Sequence, residues 1–311
     1  MHEWLVIVNP NSGKRKGEKD WKLISKKLVE KGFSFSAIFT EHKNHAIQLT
    51  REYIAQGFRK IIIVGGDGTL NEVANGIMTQ DICKSTDVEV GIIPVGTGND
   101  WCKTYGIEHD YDKAIDVIYK GITLLQDVGK VKYFENDNPL DRYIVNSAGI
   151  GFEALVVKVT NKQKEAGKSN PIAYLYNVLK YCFTYKGRNV ILTIDGKTMQ
   201  KDLYLCSIGI CKYKGNGMKF LPYAIPDDGL FDVTLINNAP VRKLLRYINK
   251  IIKGNLHQVK FAQALTCKTI FVDSNTEKLI MEVDGESLGN NPYTFEIVPS
   301  AIKVIINTKS W

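Results

Sequence analysis

Short apolar runs alternate with amphipathic stretches through the first 120 residues, and Trp4 to Val8, Phe33 to Thr40, Lys60 to Val64 and Glu89 to Pro94 read as strands. Between them Trp21, Ile24 and Leu28 recur at helical spacing with lysines on the other side, and Ile47, Tyr53 and Ile54 support a second, less regular helix. This alternation predicts strand-helix-strand units around a mostly parallel sheet. All but one of the strands end in a glycine-bearing polar loop: NPNSGK, GGDGT and VGTGND. Parallel strands gather such loops at their carboxyl edge, where open α/β sheets bind ligands. From about Asp127 the rhythm shortens. QDVGKVK, RYIVNSAGIGF, NVILTIDGK, LYLCSIGIC, LFDVTLI, KTIFVDS and KLIMEVDGE are brief β-type runs between turn residues, predicting an antiparallel sandwich or barrel. Helices are expected within it at Phe152 to Lys164, Ala173 to Tyr185 and Val241 to Lys253. The final AIKVIINTKSW is a strand in need of a partner, so the α/β part is read as 1–124 plus about 297–311 and the β-rich part as 125–296.

Composition narrows the function. With 44% hydrophobic and 24% charged residues in 311, the chain has ample core material, and no apolar run approaches the roughly 20 residues of a membrane-spanning helix. MHEWLVIVNP carries Glu3 and too short an apolar run for a signal peptide, so a cytoplasmic address is expected. Six cysteines without a Cys-x-x-Cys pair argue for reduced thiols rather than a disulfide framework or a zinc knuckle. His42 and His45 have no companion ligands and read as residues opening a helix. A net charge of +8 and a pI near 9.0 favour anionic partners. No nucleic-acid-binding motif is present, which leaves nucleotide phosphates and anionic lipid surfaces.

The loops carry the candidate chemistry. In VGGDGTLNEV, Gly65, Gly66 and Gly68 let backbone amides face an anion, and a helix starting near Asn71 adds its positive end. The turn is neither a dinucleotide fingerprint, since Asn71 stands where the third glycine belongs, nor a Walker loop. Asp67 would repel a bare phosphate, so its presence predicts Mg²⁺ between the two. A plain structural turn explains the glycines but not three such loops on one edge. In GTGND, Asn99 or Asp100 also suits the N-cap of a short helix. Asn9, Ser12, Gly13 and Lys14 of the first loop offer donors and a cation for phosphate. Taken alone, VDGES is a hairpin turn with Asp-Gly for positive φ, and IPDDG a type I or II turn. VRKLLRYINKIIKGN places Arg242, Arg246, Lys250 and Lys253 opposite Leu244, Leu245, Ile248, Ile251 and Ile252, which suits either an anionic membrane or an ordinary packed surface helix. Tyr174, Tyr176, Tyr181 and Tyr185 of PIAYLYNVLKYCFTY suit a lipid headgroup layer or a core equally.

NPNSG, GGDGTLNEVANG, GTGND, PDDGLFDV and VDGE, in this order over nearly the whole chain, resemble the diacylglycerol kinase catalytic-domain family, especially its soluble bacterial lipid kinases. The resemblance implies a three-layer α/β nucleotide-binding domain like that of NAD kinase, a C-terminal β-sandwich domain and an active site in the cleft between them. It implies an ATP-dependent lipid kinase of phospholipid metabolism, using Mg²⁺ and transferring the γ-phosphate to a hydroxyl of diacylglycerol or a related lipid. Such an enzyme is cytoplasmic and peripherally membrane-associated, meets anionic lipid there, binds no nucleic acid, and is compatible with a homodimer. By the same resemblance Thr40 and Thr97 contact the nucleotide, and Gly66, Asp67, Gly68, Thr69, Leu70, Asn71 and Glu72 form the phosphate-binding turn. Asp67 and Asp100 support the catalytic Mg²⁺, and Glu286 is the proton acceptor with Asp284 its companion. Asp228 and the carbonyls of Ile225 and Leu230 hold a structural Mg²⁺, which Asp127 links to the cleft. NAD kinase shares the GGDGT turn and is the nearest rival, with a non-catalytic lipid or nucleotide sensor as a third reading. GTGND, PDDGLFDV and VDGES favour lipid.

Overall fold

The computed structural model describes residues 3–165 and 180–308. β1 (Trp4–Val8), β2 (Phe35–Phe39), β3 (Lys60–Gly65) and β4 (Glu89–Pro94) form a parallel sheet in the order β2-β1-β3-β4. β1 is buried along its whole length and β3 along all but its first residue, the pattern of strands covered on both faces. Around the sheet lie α1 (Ser12–Lys19), α2 (Trp21–Glu30), α3 (His45–Ala55), α4 (Asp67–Thr79), α5 (Asp100–Thr104) and α6 (Tyr111–Lys120). Ile24 and Leu28 are the buried side chains of α2, as their spacing predicts. α1 opens as a left-handed turn, with φ of 61°, 60° and 67° at Gly13, Lys14 and Arg15. Gly13 is obligatory there, because a Cβ would lie 1.9 Å from the Val95 carbonyl oxygen.

The β-rich half comprises β5 (Thr123–Glu135), β6 (Asn138–Ile144), β7 (Ser147–Gly151), α7 (Phe152–Glu165), β8 (Arg188–Ile194), β9 (Lys197–Gly209), β10 (Phe231–Asn237), α8 (Val241–Ile252), β11 (Ala262–Cys267), β12 (Thr269–Asp273), β13 (Met281–Val283), β14 (Glu286–Leu288) and β15 (Asn290–Ile305). Its strands run β14-β13-β7-β9-β8-β12-β15, with β10 and β11 continuing from β9. The expected helix Ala173 to Tyr185 falls mostly outside the described residues, as do Tyr174 and Tyr176. No helix among the described residues is long and apolar enough to cross a membrane.

β5 and β15 join the two halves. They pair antiparallel from Asn290↔Phe134 to Ile305↔Thr123. β15 also pairs with β12 near its start and, at Lys303 and Val304, runs parallel to β4 near its end. The ladder shifts between Val298 and Ile302, where Ser300 takes a φ of 50° and donates its amide to Asp127 Oδ1 at 2.7 Å. One apolar core runs from Trp4 to Ile306, and a smaller one lies beneath α8.

Gln126 of β5 is the polar pin of this junction. It is fully buried. Its Oε1 accepts from Trp101 Nε1 at 2.8 Å and Tyr105 Oη at 2.6 Å, while Nε2 donates to the Val145 carbonyl at 2.8 Å. Gln126→Leu removes these partners together, and loss of about 3 kcal/mol of stability is expected, measured by urea unfolding.

Candidate functional site

The carboxyl ends of β1, β3 and β4 bring their three loops side by side. A Cβ on Gly96 would stand 2.8 Å from Gly66 Cα, so these glycines are required first for one loop to pack on the other. α4 begins at Asp67, four residues before the helix start expected from the sequence, and this decides which residues share a face. Gly68, Thr69 and Glu72 turn into a polar cleft of about 400 Å³ lined also by Asn9, Thr40, Lys43, Gly66 and Glu286. Asp67 and Asn71 turn toward α5 and the β-rich half, and Leu70 packs into the core at 2% exposure. The first-turn amides of α4 have no intrahelical acceptors, and the helix dipole makes this end of the cleft attractive to an anion.

The carboxylates have engagements that the sequence does not disclose. Asp67 Oδ2 and Oδ1 accept from the backbone amides of Asp100 and Trp101, each at 3.0 Å, so Asp67 caps α5 from another loop. Asn99, one of the two caps that the sequence offers, holds the N-cap position without a capping side-chain bond: it has a φ of 50°, donates Nδ2 to the Gly96 carbonyl at 2.8 Å, and leaves its buried Oδ1 without a partner among the described residues. Asp100 accepts from Asn216 N at 2.8 Å, Gly217 N at 2.6 Å and Lys103 Nζ at 2.9 Å, fastening the α/β part to the β-rich part. Glu72 accepts from the amides of Asn44 and Ala46, both at 3.1 Å, and caps α3. Burial raises the pKa of Asp67, with the nearby Asp100 charge adding to it and the two amides opposing it.

The segment carrying Glu286 is the hairpin turn that Asp-Gly predicts. Asp284 and Gly285, with φ of 47° and 86°, join β13 to β14, and Val283 pairs with Glu286. Asp284 accepts from Val145 N at 2.9 Å, Asn146 N at 3.1 Å, Ser147 N at 2.8 Å and Asn71 Nδ2 at 2.6 Å. Burial still lifts its pKa to about 6 against these donors. Glu286 stands 3.6 Å from Lys43 Nζ and 3.4 Å from Arg142 Nη2, and Arg142 also donates to Asn71 Oδ1 at 2.7 Å. Neither cation was singled out from the sequence, because Lys43 and Arg142 belong to no motif and meet Glu286 only in space.

The remaining residues scatter. Asn9 Nδ2 donates to Thr69 Oγ1 at 2.9 Å, tying the first loop to α4. Lys14 is exposed on the left-handed turn and outside the cleft lining. Thr97 lines a different cavity, with Asn99, Lys103 and His109, so Thr40 and Thr97 do not share a pocket. His42 and His45 stack at 4.5 Å, and His45 opens α3 with Nδ1 accepting the Glu41 amide. Among the described residues no three His, Cys, Asp or Glu side chains cluster as metal ligands. In the 225–230 turn, Asp228 Oδ1 accepts from Leu230 N at 3.0 Å, and Asp127 accepts from Gly229 N at 2.6 Å while donating its own amide to the Pro226 carbonyl. Burial raises the pKa of Asp127 and Asp228, with repulsion from Asp227 adding to both and repulsion from Asp228 adding to Asp127.

A second cavity, of about 320 Å³, has walls that include Phe152, Val156, Leu205, Ile236, Leu244 and Ile248. Its polar lining includes Asp67, Asp100, Glu153, Lys214, Glu282 and Asp284. Lys214 Nζ bridges Glu282 Oε1 at 2.7 Å and Glu153 Oε2 at 3.0 Å; Ser207 Oγ donates to Glu153 at 2.9 Å, and Gly285 N to Glu282 Oε2 at 3.0 Å. The sequence offered one hint of this group: an acid, Glu282, inside the apolar run LIMEV.

Two outcomes follow. Asp67→Asn sets an amide NH₂ against a backbone N–H, and a loss of about 2 kcal/mol by thermal unfolding is expected in addition to any loss of activity. Burial, outweighing the Lys214 ammonium, pushes Glu153 up to about 7. The fold therefore favours the protonated acid, a contribution that is complete below about pH 4.5 and lost as pH rises through about 7. Glu153→Gln should flatten the fall of Tm across that window.

Comparison with known proteins accounts for both halves. Residues 3–131 match the diacylglycerol kinase catalytic domain, and residues 146–306 match the YegS C-terminal NAD kinase beta sandwich-like domain. A diacylglycerol kinase of Staphylococcus carnosus (strain TM300) is 28% identical over 96% of this chain and 93% of its own. A crystal structure of a diacylglycerol kinase from Bacillus anthracis str. Sterne shares the fold, with a TM-score of 0.74 at 23% identity over 98% of this chain and 97% of the other. Yeast NADH kinase, solved with NADH, shares it more distantly, with a TM-score of 0.55 at 11% identity over 99% and 84%. The chain therefore belongs to the diacylglycerol kinase catalytic-domain family, a family of lipid kinases.

Proposed function

We propose that this chain is an ATP-dependent kinase that transfers the γ-phosphate to a hydroxyl of an uncharged lipid, diacylglycerol or a close relative, drawn from the membrane surface on the cytoplasmic side. One observation carries this reading. Gly285 lines the apolar cavity and Glu286, the next residue, lines the polar cleft, so a lipid hydroxyl from one side and a triphosphate from the other meet at a single hairpin. We read 1–124 with 297–311 as the nucleotide half and 125–296 as the lipid half.

The chain's own groups supply the steps. Gly66, Gly68, Thr69 and the positive end of α4 receive the phosphates, with Thr40 and Asn9 on the cleft wall. Glu286 accepts the hydroxyl proton as the new O–P bond forms and the bond to the departing ADP oxygen breaks. Lys43 and Arg142 hold Glu286 between them, and as cations beside it they would stabilise charge on the moving phosphoryl group. Each Asp67 oxygen keeps a lone pair beyond its amide bond, so Asp67, with Asp100 near it, fits hydrated Mg²⁺, which neutralises triphosphate charge when bound. A second Mg²⁺ fits Asp228 and its neighbouring carbonyls in a structural role.

Head charge favours a neutral acceptor. Asp67, Asp100, Glu282 and Asp284 line the apolar cavity with Lys214 as the one cation among its described lining residues. A phosphate-bearing head such as that of phosphatidylglycerol meets net repulsion there. The apolar walls likewise favour a lipid over the dinucleotide of an NAD kinase. The test is a radiolabelled-ATP assay with a total lipid extract, partitioned between water and chloroform. Label is expected in chloroform as the phosphate monoester of a glyceride that was uncharged before transfer, identified by mass spectrometry, and Glu286→Gln should lower the rate by about 10² to 10⁴. Label confined to water would reject the lipid reading.

A further inference from the structure

We propose that α8 and the segment around it form a docking face for an anionic lipid bilayer, set so that the apolar cavity opens toward the membrane. From Val233 to Val272 the chain contains no Asp or Glu, but it has seven cations: Arg242, Lys243, Arg246, Lys250, Lys253, Lys260 and Lys268. The rest of the chain holds the other 34 of 41 basic residues against all 33 acidic ones, so nearly the whole net charge of +8 resides in this one segment. Five of the seven cations fall on α8 or at its C-terminal end, and among the described residues none of the five takes part in an ion pair. Arg242, Lys243, Arg246 and Lys253 are exposed.

The apolar side of the same helix identifies the partner. Leu244 and Ile251 are buried in the small cluster with Tyr204, Leu205 and Ile236, apart from the main core. Leu245, Ile248 and Ile252 line the apolar cavity, and Ile248 is 39% exposed, so the cavity reaches solvent along α8. A cationic helix with an apolar stripe lies in a bilayer interface with the stripe toward the acyl chains and the cations among the headgroups. A nucleic acid would satisfy the charges and leave the stripe without a partner. The placement also answers a need of the proposed reaction, since a water-insoluble acceptor must reach the cavity without crossing water. In that respect the inference rests on the lipid-kinase reading, whereas the charge segregation does not.

The full chain is sedimented with sucrose-loaded vesicles of phosphatidylcholine, with and without about one third phosphatidylglycerol. Each cation near such a surface is worth about a fivefold change in partition, so binding to the anionic vesicles should exceed binding to the neutral ones by about a hundredfold or more and weaken as salt rises. The variant with Arg242, Arg246, Lys250 and Lys253 all changed to Gln should lose that excess. Changing Lys22, Lys120 and Lys197 to Gln should keep most of it. Both variants are also assayed with short-chain diacylglycerol in neutral detergent micelles, where the α8 variant should phosphorylate at the wild-type rate. Equal binding to the two vesicle types, full anionic binding by the α8 variant, or preference for a DNA or RNA duplex over the vesicles would each overturn the docking face. No phosphorylation by the wild type in micelles would reject the kinase reading alone, while the vesicle result would still decide the docking face.

Discussion

The arrangement depends on aspartates that accept backbone N–H groups across chain segments distant in sequence. Asp67 holds the first turn of α5, Asp100 holds residues 216 and 217, Asp284 gathers residues 145 to 147, and Asp127 holds Gly229 and Ser300. Charge-assisted bonds of this kind are roughly twice as strong as neutral ones, and here they replace side-chain packing at a place where the loops must stay open to a ligand. Apolar residues would close the cleft. Carboxylates hold its walls at hydrogen-bond length, and Asp67, with one amide on each oxygen, keeps lone pairs for what binds there.

The β5–β15 ladder adds a covalently continuous backbone connection between the same walls. A cleft joined by two paired strands and by the Asp100 and Asn71 bridges has little freedom to shear. The cross-links gather where phosphate would be held, while α8 packs on a separate small core.

Much of the framework is legible in the residues themselves. Glu89–Pro94 is a strand with the boundaries its pattern predicts, and the apolar side of α2 follows from Trp21, Ile24 and Leu28. The start of α4 is not legible, because Gly-Asp-Gly-Thr is unfavourable helix sequence; tertiary packing of Gly66 against Gly96 overrides propensity. The Asp67 cap is hidden for a related reason: local patterns reveal a cap within four residues, and this one reaches across 33. Glu153, Lys214 and Glu282 come from a helix, a loop and a strand separated in sequence, and only folding makes them a group. Lys14 shows the converse, a motif-adjacent lysine that the left-handed turn leaves outside the cleft lining.

The capping role of Asp67 bears on how descendants of this scaffold would decay. A copy relieved of its chemistry would still be selected to keep Asp67, Asp100 and Asp284, since each fastens backbone that would otherwise come loose. Among the described residues the Glu286 carboxylate meets two cations, at 3.4 and 3.6 Å, and accepts no backbone N–H. On the proposed mechanism the glutamate would be the first to drift among such copies, and its identity would be a better sign of surviving catalysis than an intact Gly-Gly-Asp-Gly turn.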